Sequence, residues 1–353
     1  MSKIYLITPS LNAGGAERVM SELANYFVGK PGIDVTVIAM TRGELFYKLD
    51  AGVKFIQPDF DHRSYSRPVF TYKIYKFLRN ELKAGRPDIT MSFGGKYNSF
   101  ALLAARGLNI RTFVSDRSRP TISYGKLLDF LNPIMYKRAT GIIAQTGIAR
   151  DVLQRKTGHK NIKVIGNPIK QVENTGRERT KTVINVGRFI ASKHQDLMVD
   201  YFAAVNDGTW ELVFLGDGQY FTAVKEKVET MGLTSAIRFP GMVANISDWY
   251  NSASIFAFTT TSEGFPNALG EAMSAGMACM SFDCVAGPAD LIDNEVNGFL
   301  VKEYDHENFK EGLKKLMDNA GLRETFGQKA VEKLKKFDRE EIAEEFLTFL
   351  LKK

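Results

Sequence analysis

Two glutamates, Glu263 and Glu271, enclose seven residues in the run SEGFPNALGEAMSAG and suggest a defined binding chemistry. Glu263 precedes a Gly-Phe-Pro turn, whereas Glu271 lies in a stretch whose composition predicts a helix beginning near Asn267. A helix N-terminus offers unpaired N–H groups and the positive end of a dipole, which favour phosphate. Carboxylates on either side can accept hydrogen bonds from sugar and ribose hydroxyls. The pattern therefore fits a sugar joined to a nucleoside by a diphosphate, although two solvated glutamates on a surface helix explain it equally well.

Arg188 and Lys193 form a second pair with recognisable chemistry. Arg188 directly follows a predicted strand at 182–187, and Lys193 comes five residues later. Proteins of the α/β class bind ligands at the carboxyl ends of their strands. Arg holds phosphate oxygens in a bidentate fork, while Lys acts as a point charge. Taken alone, an Arg and a Lys in a loop are more often solvated surface residues, so the placement after a strand carries the prediction.

Short apolar runs alternate with longer helix-like stretches and predict the elements that position these residues. The alternation indicates βαβ units and parallel sheets that are buried on both faces. The segment IGNPI at 165–169 interrupts regular structure, so we expect two Rossmann-like domains, 1–166 and 167–337, with an amphipathic helix at 338–353. The predicted strands are 3–8, 35–40, 53–57, 88–93, 111–116, 141–146 and 162–165, then 182–187, 211–215, 236–239, 254–259 and 278–282.

The composition of the chain limits the classes of function that it can have. A chain of 353 residues with 44% apolar content can form two domains, and no apolar run of 18 residues predicts a membrane-spanning helix. Cys279 and Cys284 lack metal-type spacing, which predicts reduced thiols and a cytoplasmic protein. The net charge of +7 favours anionic partners, namely nucleic acid, diphosphates or an anionic membrane. No nucleic-acid-binding motif is present, so nucleic acid is not expected as a partner.

Five segments in this order resemble the retaining glycosyltransferases of family 4, which have the GT-B architecture. The segments are LNAGGAERVMSELA, VGRFIASKHQDL, LGDG, FPGMV and the run from Ser262 to Val301. The resemblance spans nearly the whole chain. It implies an α/β fold with two Rossmann-like domains whose parallel sheets face each other across a cleft, and a last helix that packs back on the first domain. His194 departs from the family, which usually has Gly there.

The resemblance also implies the roles of individual residues. Arg188 and Lys193 match the family's diphosphate-binding pair, Glu271 the position that binds the ribose, and Glu263 the position near the transferred sugar. Because GT-B enzymes stabilise the leaving diphosphate with basic side chains and helix N-termini, we expect no cofactor and no essential metal. The implied donor-binding residues are Gly15, Arg188, Lys193, Glu263, Gly264, Phe265, Pro266, Asn267, Ala268, Leu269 and Glu271.

In the first domain, Asp116 ends the predicted strand 111–116 and Arg117 follows it, near the place where many family members carry a His. Asp116 could accept a proton from the acceptor or orient its hydroxyl group, and it could equally cap the next segment or pair with Arg117. Arg117 is a candidate contact to the acceptor. The predicted catalytic residues are therefore Glu263, Asp116, Arg188 and Lys193.

The segment 63–87 mixes basic and aromatic residues and predicts a helix with a basic face. One interpretation is a docked helix whose basic side is solvated. The other is a surface that meets anionic headgroups or a lipid diphosphate at the inner face of the plasma membrane. The predicted acceptor and membrane contacts on this helix are Lys73, Lys76, Arg79 and Lys83.

The sequence also bears on three functions other than glycosyl transfer. A nicotinamide-dependent oxidoreductase needs a third glycine where LGDGQYF has Phe221. A non-hydrolysing nucleotide-sugar epimerase of GT-B architecture and a non-enzymatic sugar- or nucleotide-binding protein remain alternatives. The sequence favours a retaining transferase that moves a hexose or N-acetylhexosamine from a nucleotide sugar to a lipid-linked or polysaccharide acceptor. UDP is expected as the carrier from its frequency in the family.

Overall fold

The structure is a computed structural model that describes residues 1–12, 14–61, 64–173 and 175–352. Ala13 of the glycine-rich loop and Arg63 of the basic segment lie outside these residues. The chain forms two compact units: unit 1 comprises Met1–Pro168 and Arg339–Lys353, and unit 2 comprises Ile169–Asp338. The sequence analysis places the corresponding bounds at residues 166 and 338.

Unit 1 is built on a seven-stranded parallel sheet of order β3-β2-β1-β4-β5-β6-β7. Its strands are β1 (Ser2–Thr8), β2 (Ile33–Ala39), β3 (Lys54–Ile56), β4 (Ile89–Phe93), β5 (Arg111–Ser115), β6 (Gly141–Ala144) and β7 (Ile162–Val164). Its helices are α1 (Gly15–Val28), α2 (Arg67–Gly85), α3 (Asn98–Ala105), α4 (Lys126–Tyr136), α5 (Gly147–Thr157) and α13 (Arg339–Leu351).

The helices of unit 1 form two layers, because the crossovers leave β1 in opposite directions. Right-handed crossovers toward β3 and toward β7 place their helices on opposite faces of the sheet. Helices α2, α3, α4 and α5 pack in that order on one face, where Ile74, Leu78 and Leu82 of α2 share a core with Tyr5 and Ile7 of β1. Helices α1 and α13 pack together on the other face.

Unit 2 contains a six-stranded parallel sheet of order β10-β9-β8-β11-β12-β13. Its strands are β8 (Thr180–Val186), β9 (Glu211–Leu215), β10 (Ile237–Gly241), β11 (Ala253–Phe258), β12 (Ala278–Asp283) and β13 (Phe299–Lys302). Its helices are α6 (Gln195–Val205), α7 (Phe221–Thr230), α8 (Ile246–Ser252), α9 (Asn267–Ser274), α10 (Pro288–Leu291), α11 (His306–Asp318) and α12 (Ala320–Leu334).

Two parallel-sheet, Rossmann-like units confirm the predicted fold class. The expectation of five strands in the second half is wrong by one, since β13 is a sixth strand at the edge of the sheet. This strand has four residues and follows Asn297 and Gly298, so its apolar run is too short to stand out from a turn. None of the helices within the described ranges is both long enough and apolar enough to cross a bilayer.

Candidate functional site

Unit 2 brings Lys193 and Glu263 together beyond the carboxyl ends of β8 and β11. Lys193 Nζ donates to Glu263 Oε1 in an ion pair, and each of the two side chains is only 13% exposed. The ammonium also lies 4.7 Å from the centroid of the Phe258 ring. A partly desolvated pair interacts more strongly than an exposed one, and removing either partner leaves a costly unpaired charge. The two side chains therefore hold each other in place just before α9.

Hydrogen bonds from the end of β11 fix the backbone that carries Lys193. The buried Thr259 hydroxyl donates to the carbonyl of Lys193 at 2.9 Å and to that of His194 at 3.0 Å. The Thr261 N–H donates to the Ser192 carbonyl at 2.9 Å. The segments that follow two neighbouring strands are thus tied together, which sets the position of the lysine relative to Glu263.

His194 adopts a backbone conformation that suits glycine. Its φ of 48° and ψ of 46° are left-handed, and the residue lies between the 3-10 turn Ala191–Lys193 and the start of α6. A side chain in this conformation costs roughly 1–2 kcal/mol, which explains why glycine is usual at this position in the family. The imidazole lies beside Tyr304, with His194 Nε2 3.2 Å from Tyr304 Oη. His194 therefore adopts, next to Lys193, the left-handed conformation that glycine reaches without strain.

The LGDG segment supports the loop after β8 through direct backbone contact. A Cβ atom on Gly216 would lie 2.1 Å from the Gly187 carbonyl oxygen, and one on Gly218 would lie 2.5 Å from the Phe189 carbonyl oxygen. The N–H of Phe189 donates to the Asp217 carbonyl at 2.9 Å. These glycines serve close packing, while the exposed side chain of Arg188 sits on the loop that they hold.

Helix α9 begins at Asn267, as predicted. The side chains of Phe265 and Leu269 are buried, and Phe265 packs against Phe337 with ring centroids 5.9 Å apart. Pro266 is also buried, and a Cβ atom on Gly287 would lie 2.2 Å from its Cδ atom. These residues can therefore offer only backbone groups to a ligand. The N–H groups of the first turn, which include Ala268 and Leu269, lack intrahelical acceptors and are available for an anion.

Glu271 lies one turn into α9 and is positioned by a buried tyrosine that the sequence did not reveal. Tyr250 Oη donates to Glu271 Oε2 at 3.3 Å, and Tyr250 on α8 is fully buried. Burial and the neighbouring carboxylate raise the pKa of Tyr250 well above its ordinary value, so the phenol stays a donor. Glu271 is only partly exposed, so its carboxylate is held at a fixed place on the α9 surface.

The glycine-rich loop of unit 1 already holds a negative charge at the start of α1. A Cβ atom on Gly14 would lie 2.1 Å from Glu17 Oε2, which shows how closely this carboxylate approaches the loop backbone. The Gly14 N–H donates to Tyr47 Oη at 3.3 Å, and α1 begins at Gly15. A carboxylate in the first turn stabilises the helix end and competes with phosphate for the same amides. An anion bound at Gly15 must therefore displace Glu17.

Asp116 lies just beyond β5 and accepts hydrogen bonds from neutral donors. Its Oδ1 atom accepts from the Tyr124 hydroxyl at 2.7 Å and from the Ser118 N–H at 3.1 Å. Burial raises the pKa of this carboxyl above its ordinary value. Asp116, Tyr124 and Lys156 line a cavity of about 320 Å³, whose other walls come from α4, α5 and the segment 118–123. A carboxyl with a raised pKa beside a cavity can act as a proton acceptor.

Arg117, the predicted acceptor contact, lies beside the ends of β4 and β5. Its guanidinium donates to Ser115 Oγ at 3.3 Å and to Asn167 Oδ1, and it lies 4.9 Å from the centroid of the Phe93 ring. The centroid of the Phe346 ring, on α13, lies 5.8 Å from the same guanidinium. Burial lowers the pKa of Arg117. These contacts engage the side chain within unit 1, and no sequence pattern predicts them.

The four basic residues predicted to contact the acceptor or membrane differ in their surroundings. Arg79 donates to the carbonyls of Ala104 at 2.8 Å and Arg106 at 3.0 Å, and so caps the end of α3. The ammonium of Lys73 lies 4.3 Å from the centroid of the Tyr65 ring. Lys76 and Lys83 are exposed. The solvated basic face of α2 thus consists mainly of Lys76 and Lys83.

Comparison with known proteins places the chain in a family. A model described as Glycosyltransferase Family 4 matches residues 13–171, and one described as Glycosyl transferases group 1 matches residues 168–333. The lipopolysaccharide 1,6-galactosyltransferase of Escherichia coli (strain K12) is 31% identical over 248 residues, which cover 67% of this chain and 68% of that protein. The chain belongs to glycosyltransferase family 4. It is therefore a glycosyltransferase, and its two Rossmann-like units have the GT-B architecture.

Two further proteins resemble this family 4 glycosyltransferase over nearly its whole length. The GalNAc-alpha-(1->4)-GalNAc-alpha-(1->3)-diNAcBac-PP-undecaprenol alpha-1,4-N-acetyl-D-galactosaminyltransferase of Campylobacter jejuni is 26% identical, with 99% of this chain and 98% of that protein covered. Anabaena Alr3699/HepE, seen in a crystal structure in complex with UDP, shares 17% sequence identity with this chain. The two structures match over 99% of each chain, with a TM-score of 0.82. In the part of the chain that the structure describes, no group of three or more His, Cys, Asp or Glu side chains could hold a metal ion.

Proposed function

We propose that this glycosyltransferase moves a hexose or N-acetylhexosamine, with retention of configuration, from a UDP-linked donor to a hydroxyl group of a lipid-linked or polysaccharide acceptor during synthesis of a bacterial surface glycan such as a capsule. The observation that carries the donor assignment is the sheltered Lys193–Glu263 ion pair beside the start of α9. UDP is supported by the HepE complex, and a lipid-linked acceptor by the undecaprenol-linked substrate named for the Campylobacter relative.

The leaving nucleoside diphosphate sets the main chemical demand on unit 2. Negative charge builds up on its bridging oxygen in the transition state, and preorganised positive groups lower that barrier. Lys193, Arg188 and the first-turn amides of α9 supply this charge without a cofactor or an essential metal. Glu263 holds Lys193 in place and accepts a hydrogen bond from the transferred sugar. Gly264 allows the backbone before α9 to approach the sugar closely.

Glu271 binds the ribose in this proposal. A carboxylate can accept from two vicinal hydroxyl groups at once, and Tyr250 keeps this carboxylate in place from the buried side. A ribonucleotide offers two hydroxyl donors to this carboxylate, whereas a 2′-deoxynucleotide offers only one. The arrangement therefore favours a ribonucleoside diphosphate as the leaving group.

Asp116 orients the acceptor hydroxyl group or accepts its proton. The carboxyl faces a cavity and receives the Tyr124 hydroxyl and the Ser118 N–H on Oδ1. Arg117 acts indirectly, because its guanidinium ties the segment after β5 to Phe93 and Asn167. We propose that Arg117 positions Asp116 and does not itself contact the acceptor.

The exposed lysines of α2 provide the contact with the acceptor's anionic lipid. Lys76 and Lys83 can approach a lipid diphosphate or anionic headgroups, and each cation near an anionic leaflet contributes about 1 kcal/mol. We propose that this contact keeps the protein at the cytoplasmic face of the plasma membrane as a peripheral protein. Lys73 and Arg79 support the same surface from more enclosed positions.

The proposal is tested by a screen of nucleotide sugars followed by product analysis. A donor present at about 100 times its Kd stabilises the fold by about 2.7 kcal/mol, which raises the unfolding temperature measurably. We expect UDP-sugars to stabilise the protein more than GDP- or ADP-sugars. Release of free UDP only when donor and lipid-linked acceptor are both present, with an α-linked product from an α-linked donor, completes the test. Stabilisation by no nucleotide sugar, or an inverted product, contradicts it.

A further inference from the structure

Helix α4 is amphipathic, but its polar face, rather than its apolar face, packs against the protein. Asn132 is buried, accepts from Ser99 Oγ at 2.6 Å and donates to the Gly95 carbonyl at 2.9 Å. Tyr136, one turn later, is also buried and accepts from Asn98 Nδ2 at 2.9 Å. These two residues define the inner face of the helix, because they are four positions apart.

The outer face of α4 is apolar and faces solvent. Leu127 is 70% exposed, Phe130 68% and Ile134 43%. Their spacing of three and four residues puts all three on one stripe, opposite Asn132. Single exposed apolar residues are common on protein surfaces, but a continuous stripe along one helix indicates a surface that meets something apolar.

Basic residues flank this stripe. Lys126 begins the helix, and Lys137 and Arg138 follow its end; all three are exposed. The one acidic residue of α4, Asp129, accepts from the Tyr124 N–H at 2.8 Å and from the Ser123 hydroxyl, so its carboxylate serves the preceding turn. An apolar stripe with cations at both ends matches the chemistry of an anionic lipid surface.

The helix layer that contains α4 carries the positive charge of the whole protein. Residues 67–85, 98–105, 126–138 and 147–157, which we call the α2–α5 layer, contain eleven Lys and Arg and three Asp and Glu, a net charge of +8. The complete chain has a net charge of +7, so all other residues together carry −1. Charge on this scale, confined to one layer, attracts an anionic surface over a Debye length of about 10 Å.

We propose that α4 inserts its Leu127–Phe130–Ile134 stripe among the acyl chains of an anionic bilayer, at the level of the headgroups. A bilayer satisfies both features of the helix, since lipid tails cover the apolar stripe and headgroup phosphates pair with Lys126, Lys137 and Arg138. A second copy of the chain would bury the same stripe but bring like charges together. Nucleic acid would pair with the cations but leave the stripe exposed.

This inference adds an apolar anchor to the membrane contact that the proposed function gives to α2. It is independent of donor chemistry and can be judged even if the proposed donor or acceptor is wrong. The full-length protein is mixed with vesicles in which roughly a third of the lipid is phosphatidylglycerol and the rest phosphatidylcholine, and the bound fraction is measured by co-sedimentation. The test variant is Leu127→Gln with Phe130→Gln and Ile134→Gln.

A matched control replaces three exposed apolar side chains outside the α2–α5 layer, in the variant Met231→Gln, Val296→Gln and Leu351→Gln. The three native residues are 42%, 46% and 38% exposed. We expect the α4 variant to lose at least about tenfold in vesicle partitioning, while the control partitions like the wild type. Unfolding temperatures and binding of UDP should match among all three proteins, because exposed apolar-to-polar changes seldom affect the fold.

Vesicle binding that is unchanged in the α4 variant overturns the proposal. So does a wild-type dimer that the variant converts to a monomer without loss of vesicle binding, since the stripe would then be a contact between copies. A variant with Lys126→Gln, Lys137→Gln and Arg138→Gln should bind less well at low salt and differ little from the wild type at high salt. If the α4 variant loses vesicle binding but still transfers sugar to a water-soluble acceptor, the substitutions have removed membrane attachment and left the enzyme active.

Discussion

Glu263 in unit 2 and Asp116 in unit 1 are both sheltered carboxyl groups beyond the end of a strand, yet their partners differ. Glu263 pairs with the ammonium of Lys193. Asp116 accepts hydrogen bonds from a phenol and a backbone N–H, and burial raises its pKa. A neighbouring cation holds the Glu263 carboxylate in place, whereas burial beside neutral donors raises the pKa of Asp116 and makes its carboxyl ready to take up a proton. The comparison separates an electrostatic site for a leaving group from a proton-accepting site.

The scaffolds of the two sites differ as well. In unit 2, backbone packing at Gly216 and Gly218 and the hydroxyls of Thr259 and Thr260 fix the loop after β8. In unit 1, side chains such as Arg117 and Tyr124 fix the segment after β5. Small changes in the backbone should therefore damage the first site, and side-chain changes should tune the second.

The largest effect is expected for Lys193→Met, which keeps a long unbranched side chain but removes the charge that lies beside the Phe258 ring. We predict a fall in turnover of about 10²–10³-fold, because loss of one preorganised charge at a leaving group has effects of this size. Turnover is measured as UDP release with donor and acceptor present. Lys181→Met, at an exposed lysine on β8, serves as the control and should leave turnover unchanged. Near-normal turnover in Lys193→Met would remove the charge-based account of unit 2.

The next effect concerns stability. Gly216→Ala places a Cβ atom 2.1 Å from the Gly187 carbonyl oxygen at a φ of 138°, so we predict a loss of about 3 kcal/mol in the free energy of unfolding. Urea denaturation measures it. Gly208→Ala is the matched control, because its φ of 88° is also positive but nothing lies within 4 Å of the added Cβ atom. It should lose about 1 kcal/mol from backbone strain alone. Equal losses in the two variants would show that loop packing does not matter.

Asp116→Asn tests the unit 1 side of the comparison. We predict a fall in turnover of about tenfold near neutral pH, and loss of the acidic limb of the pH profile, because Asn cannot accept a proton. The wild type should lose activity as pH falls through the raised pKa of Asp116. A pH profile of the variant that keeps the wild-type acidic limb would assign that limb to another group.

The same substitution has a stability signature with a definite sign. Because the pKa of Asp116 is higher in the folded protein than in the unfolded chain, deprotonation favours the unfolded chain. The ordinary pKa of an Asp carboxyl is 3.8, and that of Asp116 in the folded protein is higher. As the pH rises from the first value through the second, the wild type should therefore lose stability relative to Asp116→Asn. Unfolding temperatures of both proteins from acid to neutral pH provide the measurement. A difference that is constant with pH contradicts the raised pKa.

The smallest effect is expected on α2. The double variant Lys76→Gln and Lys83→Gln should raise the KM for a lipid-linked acceptor by a few-fold, since each exposed cation contributes about 1 kcal/mol near an anionic surface. Its KM for the nucleotide sugar should not change. Arg79→Gln is the comparison: it should lower stability by about 1–2 kcal/mol, because the Arg79 guanidinium caps α3. An unchanged KM for the lipid-linked acceptor would leave these lysines without a role in binding it.

Local patterns made much of unit 2 predictable from the sequence. Five of its six strands follow predicted apolar runs, and the turn at Pro266 marks the start of α9 because proline rarely continues a helix from the preceding turn. The contact between Lys193 and Glu263 joins residues 70 positions apart, so spacing could not reveal it. Tyr250 was missed for the same reason, since nothing near it in the sequence points to Glu271.

Unit 1 was harder to predict because its informative contacts are tertiary. The sequence suggests Arg117 only as a contact to the acceptor, and its contacts with Phe93, Phe346 and Asn167 appear only in the folded chain. The apolar stripe of α4 would ordinarily be assigned to the core, and only the structure shows Asn132 and Tyr136 turned inward instead. A periodic pattern identifies a helix but does not tell which face its neighbours cover.

The central claim is that the sheltered ion pair of unit 2 and the start of α9 hold the diphosphate of the donor. A crystal structure with a bound UDP-sugar tests it most directly. We predict diphosphate oxygens within hydrogen-bond distance of Lys193 Nζ, the Arg188 guanidinium and the first-turn amides of α9, with the ribose hydroxyl groups on Glu271. A nucleotide bound elsewhere, with Lys193, Arg188 and Glu271 left in contact with bulk water, would contradict the account.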